Sequence, residues 1–207
     1  TRTLIKTDDT YGNAKPIEAL SKKNVIEYFK QNNGTSVNIV TGFIASNIIN
    51  NKTTTLGRNG SNYTASLLAN YLDAEELQNY THVNGIYTAN PDLVKDAKKI
   101  DNLSFTEANE LANFGTTILH AKTIIPLIEK NIPLRILNTF NPNDNGTIIT
   151  SKSHSKGIRL LSVLDDVALV NLEGRGLLGK VGVDARIFKA LSNQNISVSI
   201  ISQGSSE

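Results

Sequence analysis

The stretch TTTLGRNGSNYTASLLANYL, Thr53 to Leu72, constrains the fold more than any other part of the chain. A β-branched run ends at Gly57, an arginine stands between two glycines, and Ala65, Leu67, Leu68, Tyr71 and Leu72 mark the buried stripe of a helix. The order is strand, glycine loop, helix. Gly57 and Gly60 permit close backbone approach, Ser61 or Asn62 can cap the helix, and first-turn amides attract anions. Arg58 adds a fork suited to carboxylate or phosphate. On spacing alone, a plain glycine turn with a solvated arginine is the commoner use of such a loop. The loop matches neither the dinucleotide fingerprint nor the P-loop, which needs GxxxxGK followed by Ser or Thr.

The same alternation runs through the first 150 residues. Residues 22–31 read as a helix leading to a strand at Val37–Val40 that continues through Ala45. Asn47 to Asn51 reads as a turn, and a short strand is expected around Tyr80–Val83. The loop Asn84–Pro91 follows, its Gly and Pro marking a turn. Ser104 and Glu107 have capping-box spacing, opening a helix to Asn113 that Gly115 stops. A helical pattern over Leu119–Lys130 contains Pro126, and Pro133–Leu137 and Thr147–Thr150 read as strands. Such alternation favours a mainly parallel sheet with covering helices.

Ser151–Gly157 is polar and unpatterned, a linker. Beyond it, a strand at Val167–Leu172, a glycine-rich loop at Gly174–Gly182, a helix at Val183–Ser192 and a strand at Ile196–Ile201 make one βαβ unit. A lone unit leaves strand edges unpaired and needs further strands or another subunit. The expected domains are therefore 1–150, a linker at 151–157, and 158–207.

A formal net charge of +2 gives no dominant field, so nucleic acid or an anionic membrane as main partner has no support, and a small molecule fits better. With no cysteine there is neither a disulfide framework nor a thiolate metal site, which fits a reducing compartment. Apolar runs such as Thr123–Ile128 are far short of a membrane span, and cytoplasmic is the default. His82, His120 and His154 are scattered, with no carboxylate at metal-site spacing, and read as satisfied or solvent-facing. The chain has no methionine, begins at Thr1 and stops after an apolar strand, so it is expected to be an internal piece of a longer protein.

TGFIASN, TTTLGRNGSNYTA, YTHVNGIYTANP, SFTEANELANFG, LHAKTIIP, IPLRILNTFNP and GTII occur in that order, and as a set they resemble the C-terminal half of an aspartokinase. After the linker, LEGRGLLGKVGVDARIFKAL and ISVSIISQGSSE resemble the first half of the ACT regulatory domain, in the form found in bifunctional aspartokinase/homoserine dehydrogenases. The resemblance implies an α/β amino acid kinase-like three-layer sandwich, here its C-terminal part, followed by a partial ACT unit of ferredoxin-like βαβ type. It implies transfer of the ATP γ-phosphoryl group to L-aspartate in lysine, threonine and methionine synthesis, with Mg2+ as cofactor and the isolated fragment inactive. By resemblance, Gly57, Arg58, Gly60 and Ser61 contact substrate, and Thr81, Gly85, Tyr87, Pro91, Phe114 and Gly115 line the ATP pocket. Gly179, Val181 and Gln203 fall in the effector half-site for threonine or lysine, at an interface of paired ACT domains in a homodimer or higher homo-oligomer.

The chain departs from the family pattern where charge matters. Asn62 stands at the aspartate ending GRNGSD, His82 at the aspartate of WTDV, Asn90 and Asp92 at the aspartate and arginine of DPR, and Thr117 at the lysine of FGAKVLH. Phosphoryl transfer is mostly positioning and electrostatic stabilisation, so these changes bear directly on rate. They motivate an alternative, a catalytically degenerate regulatory or scaffolding module. A third reading, another amino acid kinase with a different acceptor, is opposed by the GRNGS loop and the ACT-like tail.

Overall fold

The computed structural model describes residues 1–32, 34, 37–113, 118–152, 157–165, 167–172 and 181–202. The chain divides into two compact units, Thr1–Asp165 and Asp166–Glu207.

The first unit begins with β1 (Lys6–Thr7), α1 (Glu18–Gln31), β2 (Ile44–Asn47) and β3 (Thr53–Thr55). β1 runs parallel to β2 and β2 antiparallel to β3. The strand expected at Val37–Val40 is not there; regular pairing starts only at Ile44. Phe43 interrupts the extended chain with φ 73, while Val37 and Ile39 are exposed and meet no strand. α2 (Gly60–Tyr71) packs Leu67 and Tyr71 against Ile5, Val25, Ala45 and Leu56.

β4 (Leu77–Thr81), β5 (Ile86–Tyr87), β6 (Lys99–Ile100), β7 (Asn102–Ser104), α3 (Phe105–Asn113), α4 (Ala121–Lys130), β8 (Leu134–Asn138) and β9 (Thr147–Thr150) follow. Their main sheet has the order β4-β8-β9-β7, with β4/β8 and β7/β9 parallel and β8/β9 antiparallel, so both parallel neighbours are joined by helical crossovers. Leu103, Ile124, Leu127, Leu134, Ile136 and Ile149 are fully buried between this sheet and α3 and α4. The capping box forms: the Glu107 amide donates to Ser104 Oγ at 3.2 Å, and Glu107 Oε2 accepts from the Ser104 amide at 2.7 Å. Arg159 donates to the same carboxylate, and the Leu161 amide donates to the Thr88 carbonyl at 2.8 Å.

In the second unit the expected helix is α5 (Val183–Asn193), opened by Gly182 at φ 82. No residue of α5 is buried, and the described residues of the expected flanking strands carry no ladder. Val167, Leu169, Ile196 and Ile200 are exposed. Among the described residues no helix is long and apolar enough to cross a membrane.

Candidate functional site

A cleft of about 470 Å³ opens where β3 passes into α2, lined by Gly12, Phe43 and every residue from Gly57 to Asn62. Its shape comes from close backbone approach. Gly57 turns the chain at φ 79, and the Gly60 amide closes the turn by donating to the Gly57 carbonyl at 3.0 Å. A Cβ on Gly60 would lie 2.8 Å from the Phe43 ring. Phe43, itself in the left-handed region, is held by both neighbours: the Leu56 amide donates to its carbonyl and its own amide donates to Thr64 Oγ1. Thr64 in turn donates to the Gly60 carbonyl.

Neither Ser61 nor Asn62 caps the helix. Both lie inside its first turn, and the N-cap is Asn59, left-handed at φ 58 and making no side-chain cap. Ser61 and Asn62, whose first-turn amides have no intrahelical partner, line the cleft. Arg58 is exposed at its mouth.

A second element ends at the same place. His120 is the N-cap of α4, its Nδ1 accepting from the Lys122 amide at 3.2 Å. Lys122 Nζ donates to Asn13 Oδ1 at 2.6 Å, and that oxygen lies 2.6 Å from where a Cβ on Gly57 would be. Burial holds the His120 imidazole below its usual pKa, and the positive charges of Lys122 and Arg58 push it further the same way. The loop bearing Gly12 and Asn13 is fixed by Asp8, whose Oδ1 accepts from the Thr10 and Lys15 amides, and by the Ala14 amide donating to the Thr55 carbonyl.

The residues expected at a nucleotide pocket are spread over the end of β4, the two-stranded β5-β6 ribbon and the loops beside them. Thr81 ends β4, and its carbonyl accepts from the Thr139 amide at 2.8 Å. Gly85, at φ 137, leaves no room for a side chain against Thr147, whose hydroxyl accepts from the Ile86 amide. Tyr87 is half-buried in β5, and Pro91 is exposed in the following loop. α2 leads away from the cleft and β4 returns alongside it; α4 leads away and β8 returns parallel to β4. The carboxyl ends of β4 and β8 thus lie at the cleft end of the unit, the position where α/β sheets bind ligands. Asn84 joins them there, accepting from Asn138 Nδ2 at 2.7 Å and Asn141 Nδ2 at 3.3 Å. Phe114, Gly115, Thr117, Gly179 and Gln203 lie outside the described residues; Val181 is exposed, two residues before α5.

The sequence-based list thus captures the Gly57–Ser61 loop but omits Gly12, Asn13, Phe43, His120 and Lys122. The last two sit in the LHAKTIIP motif, and nothing local marks Asn13, which reaches Lys122 across 109 positions.

At this cleft a glycine-turned strand end opens a helix beside Arg58, in a mixed α/β unit. The chain belongs to the amino acid kinase family, whose model matches residues 2–138, and residues 170–207 match an ACT domain. It is 46% identical over 154 residues to a bifunctional aspartokinase/homoserine dehydrogenase of Haemophilus influenzae, covering 73% of this chain and 19% of that protein. It is 37% identical to the lysine-sensitive aspartokinase 3 of Escherichia coli, covering 97% of this chain and 44% of that enzyme. The crystal structure of E. coli aspartokinase III with aspartate and ADP superposes with a TM-score of 0.81 at 34% identity, over 98% of this chain and 45% of that one. The chain thus spans less than half the length of these relatives.

Proposed function

We propose that the full-length protein is an aspartate kinase, transferring the γ-phosphoryl group of ATP to the side-chain carboxylate of L-aspartate. The bond between the γ-phosphorus and the bridging oxygen breaks, a bond to the carboxylate oxygen forms, and ADP leaves. The observation that carries the reading is the cleft of Gly57–Asn62, its arginine and free helix amides pointing to one anion site, in a chain similar to an enzyme crystallised with aspartate and ADP. Arg58 orients anionic oxygens, the amides of Ser61 and Asn62 supply further donors, and Phe43 walls the site. Thr81, Gly85, Tyr87 and Pro91, with Phe114 and Gly115, hold the nucleotide.

The cleft offers neutral oxygens from Ser61 and Asn62 but no carboxylate, and the described residues contain no group of three His, Cys, Asp or Glu that could hold a metal ion. This donor set does not make a protein cage for Mg2+, which prefers to keep phosphate oxygens and waters as ligands.

Residues 1–150 are the catalytic part, 151–157 the linker and 158–207 the start of the regulatory domain. There Gly179, Val181 and Gln203 contribute to a site for lysine or threonine shared between subunits of a homo-oligomer, the lysine-sensitive relative supporting lysine. A cysteine-free chain suits the cytoplasm. A coupled ADP-release assay on the full-length protein, with and without L-aspartate, tests the reading; ADP release that is indifferent to aspartate overturns it.

The carboxamide of Asn62 in the cleft favours a second reading, a module whose kinase half has lost catalysis. Asn62→Asp separates the two. A rise in kcat marks a weakened enzyme, whereas a normal rate in the unmodified protein removes the second reading.

A further inference from the structure

Arg58 lines the cleft, and Lys122 reaches the loop at its edge through Asn13, with no acid paired to either among the described residues. Lys122 Nζ has three donors, and the hydrogen bond to Asn13 uses one. The Asn13 oxygen that accepts this bond lies against Gly57, and Asn13 follows Gly12; both glycines line the cleft. The lysine also stands on a rigid base. Lys122 lies in the first turn of α4, and α4 is clamped to α2 by Ser66, which donates to the Thr123 carbonyl, and by Asn70 Nδ2, which donates to the Pro126 carbonyl at 2.7 Å. Since α2 starts at the cleft, both cations are referred to one helix pair.

We propose that Lys122 is the second cationic contact of this cleft, donating to an anionic oxygen, carboxylate or phosphate, of the bound substrate. The proposal rests on the reading of the cleft as the substrate site. A dianionic amino acid and a nucleotide triphosphate bring several negative charges into one small volume, and a single arginine leaves most of that charge unmet. Thr117 supplies no charge of its own. The His120 imidazole is driven toward its neutral form by burial first, and then by the positive charges of Lys122 and Arg58. The competing role is that of a tether, in which Lys122 only ties α4 to the loop at Asn13.

The test is calorimetric titration of the full-length protein and its variants with L-aspartate and, separately, with a non-hydrolysable ATP analogue. Lys122→Ala and Lys122→Gln should each weaken one ligand about tenfold or more, while Lys122→Arg should stay within about threefold of the unmodified protein. Loss confined to aspartate identifies a carboxylate contact, and loss confined to the analogue a phosphate contact. Glutamine can keep the hydrogen bond to Asn13 without the charge, so full affinity in Lys122→Gln assigns a tether and overturns the proposal. Unchanged affinity for both ligands in Lys122→Ala, with binding lost in Arg58→Ala, overturns it while leaving the cleft as the site. If Arg58→Ala also changes neither ligand, the reading of the cleft falls and the proposal falls with it.

Discussion

His120 shows how one residue takes its role from neighbours far along the chain. As the N-cap of α4 it must accept a hydrogen bond at Nδ1, and burial and nearby positive charge favour the neutral ring that can do so. A histidine whose folded pKa is depressed contributes stability above the unfolded value of about 6.5, and that contribution is lost as pH falls through the unfolded and then the folded value. We expect the ¹³C-detected titration of His120 to have a midpoint below 6.5; a midpoint at or above it would show that burial and the two cations do not hold the ring neutral. Gly57 is the second telling residue. Alanine there must hold φ 79 and displace Asn13, at a cost of about 1–2 kcal/mol measured by denaturant unfolding, with substrate affinity falling alongside. Unchanged stability and affinity would mean that the turn is not under constraint.

At the scale of elements, α2 and α4 are joined by polar groups as well as apolar ones. Pro126 removes an intrahelical donor from α4, yet the helix is kept, with α2 side chains on two of its carbonyls. Asn70→Ala should destabilise by about 1–3 kcal/mol because the Pro126 carbonyl is left buried without its partner. A loss of only a few tenths would show that the clamp is dispensable. At the other end of the unit, burial of the Glu107 carboxyl pushes its pKa up, but hydrogen bonds from Ser104 and the charge of Arg159 outweigh it and hold the group low. Arg135 does the same for Glu76, forking onto both its oxygens at 3.1 Å and 2.9 Å. Depressed carboxylates stabilise the fold above their unfolded pKa, and the gain disappears as pH falls through the folded value. The Tm should therefore drop below about pH 4.5, and Glu76→Gln should make the drop shallower. A variant with the same acid profile would remove Glu76 from the account.

At the scale of the whole molecule, the chain spans 44% of the aspartokinase it matches over nearly its full length. A catalytic centre needs all of its groups positioned together, so these 207 residues alone are expected to release no ADP in response to aspartate in a coupled assay. Turnover at an ordinary enzyme rate would contradict this.

Local rules made much of this legible in advance. The strand, glycine loop and helix at Thr53–Leu72, the capping box at Ser104 and Glu107, and α5 each follow from signals within a few residues: a β-branched run, a hydroxyl three positions before a carboxylate, a 3.6-residue apolar period. The motif order pointed to the family before any coordinate. What the tertiary structure alone decided depends on groups distant in sequence. The extended chain starts at Ile44 rather than Val37 because only there do two neighbouring strands offer pairing groups. Ser61 and Asn62, both able to cap by residue type, fall inside α2, and the left-handed Asn59 stands at its N-cap, a one- or two-residue shift that local capping preference does not set. The meeting of Asn13, Gly57, His120 and Lys122 spans more than a hundred positions, and it exists because two helices that begin at one edge of their sheets are locked side by side.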